Sequence, residues 1–92
     1  MYNTKTHTPG ELGKLISKNL RNRRKSYNLS MQRLSQLSGV SFGSVRRFEE
    51  TGEISLISLL KIATVLDCAD EFEQLFKQPE PRSIKEIIDG NL

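Results

Sequence analysis

The sequence predicts an all-α protein: a five-helix bundle carrying a helix-turn-helix, followed by a short C-terminal tail helix. Three observations predict it. Apolar residues recur at three- and four-residue spacing from Leu12 onward. A short polar residue able to cap a helix precedes each of the first four such runs: Thr8, Ser30, Ser41 and Ser55. No stretch alternates apolar and polar residues long enough for a strand, and the β-branched residues are scattered within helical periods.

Residues 1–7 read as a flexible arm. Thr8-Pro9-Gly10-Glu11 reads as a helix start: Thr8 caps, Pro9 suits the first turn, and Glu11 completes a capping box. Leu12, Leu15, Ile16 and Leu20 then form one apolar stripe, while Lys14, Lys18, Arg21 and Lys25 fall on another face. This helix is expected to end near Ser26, because Asn28 suits a turn. The second helix is expected over 31–38, with Leu34 and Leu37 as its apolar contacts and Gly39 as its breaker. The third runs over 42–50 with Val45 and Phe48 inward, and Thr51-Gly52-Glu53 makes a turn. In the fourth, Leu56, Leu59, Leu60, Ala63 and Leu66 make the expected buried face. Asp70 opens a fifth that carries Phe72, Leu75 and Phe76, and its acidic first turn complements the helix dipole. Pro79 and Pro81 stop that helix; Ser83-Ile84-Lys85-Glu86 is a second capping box ahead of an Ile84, Ile87, Ile88 edge that stops at Gly90. The expected organisation is therefore an arm (1–7), one helical domain (8–78) and a tail (79–92).

The chain of 92 residues suits one domain. A net charge of +3 conceals an asymmetry: residues 1–50 hold ten Lys/Arg against three Glu, and residues 51–92 hold four against eight acids. One surface that attracts a polyanion fits this distribution; ordinary solvated helix faces fit it too. No apolar run approaches the ~20 residues that cross a membrane, and residues 1–8 lack a signal-peptide core, so a cytoplasmic location is expected. The single Cys68, in an apolar stretch beside Leu66, reads as an inert, half-buried thiol. Enzymatic function is not expected. The one histidine, His7, lies in the arm, and Cys68 has no evident histidine partner. No cofactor is expected either, since neither a ligand cluster nor a Gly-rich phosphate loop is present.

The informative stretch is SMQRLSQLSGVSFGSVRRFEE, Ser30 to Glu50. Two short helices meet at a steep angle, so Gly39 takes a backbone conformation that a Cβ opposes. Ser35 is small enough for close approach at the crossing, and Leu34, Val40, Val45 and Phe48 form a wedge that fixes the angle. The start of the third helix then projects outward, where a DNA major groove can receive it.

Residues 8–76 resemble the phage-repressor-like (Xre/Cro-type) helix-turn-helix proteins, through LRNRRKSYNLS before helix 2, RLSQLSGVS through the turn, SVRRFEE along helix 3 and ISLISLLKIATVLDC in helix 4. The resemblance implies a lambda-repressor-like bundle that binds double-stranded DNA. It implies base readout by Ser41, Phe42, Gly43, Ser44 and Arg47, and phosphate contacts from the start of helix 2 at Ser30, Met31 and Gln32. It also implies a structural ion pair between Arg24 and Glu49. Three positions depart from the family pattern: Met31 stands where Gln is common, Ser35 where Ala is usual, and Asn28, which tolerates left-handed geometry, where Gly is usual.

Arg47 is the strongest candidate for direct readout, because an arginine bridges O6 and N7 of guanine with two hydrogen bonds worth about 1–3 kcal/mol of discrimination. Arg46, Lys14 and Arg33 read as phosphate contacts or as solvated surface charges. Phe42 reads either as an exposed ring that packs on a thymine methyl or as core under the turn. Gly43 costs its helix roughly 1 kcal/mol and lets the backbone come close to DNA.

The function expected from these features is a sequence-specific regulator, a repressor that binds a palindromic operator as a homodimer. The alternative is an antitoxin, similar in layout to HipB-like proteins, that neutralises a toxin partner and represses its own operon. Its docking segment is the acidic, Ile-bearing tail over 79–92, which also reads as a helix folded on its own domain or across a dimer. Helix 5 (Phe72, Leu75, Phe76) and the Ile84–Ile88 segment are the candidate dimer surfaces. RNA is disfavoured, since a helix that fits a DNA major groove cannot enter the narrow one of RNA.

Overall fold

Four polar caps set the phase of the bundle. In the computed structural model, which describes residues 7–77 and Pro79, α1 spans Pro9–Ser26, α2 Met31–Ser38, α3 Phe42–Thr51, α4 Leu56–Val65 and α5 Asp70–Glu73. Thr8, Ser30, Ser41 and Ser55 each accept a hydrogen bond from the backbone N–H three residues on. At α1 the box is complete: Glu11 accepts from the Thr8 N–H at 2.8 Å while Thr8 accepts from the Glu11 N–H at 3.1 Å. The anionic Glu11 is held below its usual pKa, first by its bond to the Thr8 backbone and then by the Thr8 hydroxyl. The expected arm and tail fall mostly on residues 1–6, 78 and 80–92, which lie outside the described ones.

Left-handed residues end the helices. Gly39 (φ +77°) closes α2 and Gly52 (φ +83°) closes α3, each donating its N–H to the carbonyl four residues back. Asn28 takes φ +59° after α1, the geometry that its short amide side chain tolerates. Gly52 also lies against α1: a Cβ there meets the Gly13 carbonyl carbon at 2.5 Å and the Lys14 nitrogen at 2.6 Å. Two backbones therefore touch where the end of α3 crosses the start of α1.

The core comprises Leu20, Leu34, Val40, Val45, Phe48, Ile62, Ala63, Leu66 and Cys68. α3 packs on both α1 and α2, and α2 also packs on α4. Burying each of the larger side chains contributes about 1.5–3 kcal/mol, and the wedge residues Leu34, Val40, Val45 and Phe48 are all among them.

Several expected contacts are corrected. Of the α1 stripe only Leu20 is buried; Leu12, Leu15 and Ile16 are exposed at 46%, 41% and 37%, because the end of α3 meets the first half of α1 on the Gly13–Ser17 face and not along this stripe. Leu37 is exposed, because the covered face of α2 runs through Leu34 and the half-buried Ser35 and Ser38 and leaves Leu37 to one side. In α4, Leu56 is exposed, Leu59 and Leu60 are half-buried, and Ile62 takes a core place that was not assigned to it. Apolar residues surround that helix, so spacing alone does not select its inner face. α5 is a single turn: its cap position, Ala69, makes no side-chain cap bond, and Leu75 and Phe76 lie beyond it in a turn where Phe76 has φ +61°. Cys68 is almost fully buried rather than half-buried, and burial pushes its thiol pKa up.

Candidate nucleic-acid interface

The orientation of α3 follows from which residues it buries. Val45 and Phe48, three apart, are at most 2% exposed, so Phe42, Gly43, Arg46 and Arg47 are left on the outward faces, and all four are exposed. Phe42 is 43% exposed, a solvent-facing ring and not core under the turn. Ser41 and Ser44 are exposed as well, but their hydroxyls are not idle: Ser41 accepts from the Ser44 N–H at 3.1 Å and donates to the Ser44 Oγ at 2.9 Å. Ser41 thus orders the first turn that carries the outward face.

The corner before α3 is fixed locally. Gly39 supplies the left-handed turn, Val40 buries its side chain, and the Ser35 hydroxyl donates to the Val40 carbonyl. Ser38 accepts from the Val40 N–H at 3.2 Å. These bonds brace the angle between α2 and α3.

At the start of α2, Ser30 caps, Met31 leans half-buried on the core, and Gln32 and Arg33 face solvent. Arg33 donates to Gln36 at 3.2 Å. Lys14 is exposed, but it lies by the Gly13–Gly52 crossing at the far end of α3. Exposed groups from α2 and α3 accordingly share the turn region, and Lys14 stands apart from them along α3.

Arg24 faces inward. Its Nε and Nη2 donate to both oxygens of Glu49 at 2.7 and 2.9 Å, and its Nη1 donates to the Leu29 carbonyl at 2.6 Å. Both side chains are under a tenth exposed. This forked pair ties α1 and the following loop to the end of α3. Arg21 adds a longer contact to Glu49 at 3.9 Å, and Arg23 joins Glu71 at 2.9 Å, linking α1 to α5.

Sequence reasoning missed the partners of the two α3 arginines. Arg46 pairs with Glu50 at 3.1 Å, one turn along α3, a spacing legible in the sequence. Arg47 pairs with Glu53 at 2.7 Å. That partner is six residues on, past Gly52, where no helical spacing points to it.

Among the described residues, no group of three or more His, Cys, Asp or Glu side chains could hold a metal ion, and no helix is long and apolar enough to cross a membrane. A helix-turn-helix family model matches residues 20–72, more than half of the chain. No curated protein matches it. The matched span runs from Leu20 through the Arg24–Glu49 pair, the Gly39 corner and α4 to Phe72, so the buried framework that presents α3 lies within it; the chain belongs to the Xre/Cro-type helix-turn-helix family of DNA-binding transcriptional regulators.

Proposed function

We propose that the protein is a repressor that binds a palindromic operator as a homodimer. The observation that carries this reading is the outward face of α3, with Phe42, Gly43 and Arg47 exposed on a helix whose opposite side is locked into the core. In this reading Ser41, Phe42, Gly43, Ser44 and Arg47 meet base edges, with Arg47 on a guanine and Phe42 on a thymine methyl. Ser30, Gln32, Arg33 and Arg46 hold phosphates, which fix register without reading sequence. Lys14 reaches phosphate only further along the duplex, as its place beside Gly52 requires. Arg24 and Glu49 contribute by orienting α3 and not by touching DNA.

Two copies are needed for useful specificity. One small module covers about 600–1,000 Å² of its own surface on DNA, while two linked modules reading half-sites one helical turn apart, about 34 Å, act together. Exposed apolar side chains, Leu56 and Ile57 on α4 and Leu75 and Phe76 after α5, support self-association through that side. A dimer seated on a promoter excludes polymerase from the same DNA, which is repression.

The test is selection from a random 24-base-pair duplex pool, followed by mobility shifts on the selected duplex at several salt concentrations and by sedimentation of the free protein. The reading expects a symmetric selected motif, a salt-sensitive shift and a dimer mass. A protein that remains monomeric on an asymmetric motif overturns the dimer; a pool that yields no motif overturns sequence-specific repression.

A further inference from the structure

We infer that Glu53 is a specificity-determining residue of the DNA interface, which positions the Arg47 guanidinium for a base edge and withholds it from phosphates. This rests on the reading of Arg47 as the base-contacting arginine. The Arg47 Nη2 lies 2.7 Å from the Glu53 Oε1, and both side chains stand about two-thirds exposed. The pair is thus at the surface, beside Ser44, with which it lines one recess.

Glu53 is not a loose loop charge. Its backbone N–H donates to the Thr51 hydroxyl at 3.1 Å, and that hydroxyl donates to the Arg47 carbonyl at 2.7 Å. Gly52 before it is pressed on the α1 backbone, and Ile54 after it packs against the core. The backbone of Glu53 is therefore held at a fixed place beside Arg47, with its carboxylate in reach of the guanidinium. Arg46 and Glu50 make a different pair, both on one exposed helix face with no anchoring beyond the helix.

The chemistry of the fork separates two kinds of target. A guanidinium has five N–H donors, and guanine O6 and N7 take two of them. The Nη2 group has a second N–H, which Glu53 accepts, so a bound guanine and the carboxylate occupy different edges of the same fork. The rotamer of Arg47 is then held before DNA arrives, which lowers the ordering cost of the base contact. A phosphate gains less from the same arginine, because it brings its own negative charge close to the Glu53 carboxylate. Non-specific binding is almost wholly such phosphate attraction, so Glu53 lowers affinity for wrong sequences more than for the right one.

The experiment uses full-length protein, the duplex selected from the random pool by the unsubstituted protein, and a scrambled duplex of equal composition. Affinities are measured by fluorescence anisotropy across a potassium chloride series for Glu53→Gln, Glu50→Gln, Arg47→Ala and the Arg47→Ala/Glu53→Gln double variant, with far-UV circular dichroism to confirm folding. For Glu53→Gln, binding to scrambled DNA tightens several-fold and its log–log salt slope steepens by about 0.9, the value of one added phosphate contact. The ratio of scrambled to selected Kd falls about tenfold, the size of one lost base preference. Glu50→Gln leaves that ratio within about twofold, and so does Glu53→Gln when Arg47 is already alanine. An unchanged ratio in Glu53→Gln, or an equal change with and without Arg47, overturns the role of Glu53 while the readout stands. Arg47→Ala retaining the full preference for the selected duplex overturns the readout itself, and the role of Glu53 with it.

Discussion

Replacing Arg24 with alanine removes three hydrogen bonds at once, the two to Glu49 and the one to the Leu29 carbonyl. It leaves Glu49, whose side chain is 8% exposed, as a buried carboxylate whose one remaining cation within 4 Å among the described residues is Arg21, at 3.9 Å. Breaking a buried pair from one side costs about 3–5 kcal/mol, since the remaining charge keeps its desolvation penalty. The half-exposed Arg21 relieves part of that, so the lower end, about 3 kcal/mol, is expected. A domain of this size has about 5–15 kcal/mol in all, and each kcal/mol moves the midpoint by about 4–8 °C. Thermal unfolding followed by circular dichroism therefore shows a fall of about 12–24 °C. The Arg24→Met/Glu49→Leu double variant is the discriminating partner: with both charges gone and volume kept, stability returns to within about 1 kcal/mol of the parent, and DNA affinity returns with it. Arg24→Ala that loses less than about 1 kcal/mol refutes the buried-pair reasoning, and a stable double variant that does not bind DNA refutes the purely structural role of Arg24.

Three further outcomes follow from the same geometry. Gly39→Ala and Gly52→Ala both force a Cβ into left-handed backbone, but only at Gly52 does that Cβ strike another helix; urea unfolding is expected to show about 1–2 kcal/mol lost at Gly39 and about 2–5 kcal/mol at Gly52, and equal losses contradict the α1–α3 contact. Gly43→Ala meets open space, so it raises stability by up to about 1 kcal/mol while weakening binding to the selected duplex; unchanged affinity shows that the α3 backbone does not approach DNA there. The buried Cys68, with its thiol pKa raised by desolvation, reacts with a disulfide reagent at pH 8 only as fast as the protein opens, and stability present below the free thiol pKa of about 8.5 is lost as pH rises through the raised one; Cys68→Ala lacks that component of the alkaline loss, and rapid labelling of the native protein contradicts the burial.

The caps and the corner were legible because their causes are local. Thr8, Ser30, Ser41 and Ser55 each satisfy a backbone N–H three residues on, and Gly39 supplies a dihedral that its neighbours cannot adopt cheaply. Periodicity found the wedge, since α2 and α3 each have few apolar residues to choose among. It misassigned the outer half of α1 and the face of α4, because spacing tells which residues share a side but not which side has a neighbour. The Gly13–Gly52 contact and the Arg47–Glu53 pair depend on how α1 crosses the end of α3, a non-local fact. At the interface, the residue types and their order were readable; their partners across the turn were not.

Methylation interference on the selected duplex tests the central claim most directly, because it reports groove and base together. If α3 enters the major groove with Arg47 on guanine, a methyl on guanine N7 in each half-site abolishes binding, and Arg47→Ala removes that sensitivity. Interference confined to adenine N3 in the minor groove, or sensitivity at guanine N7 that persists in Arg47→Ala, contradicts it.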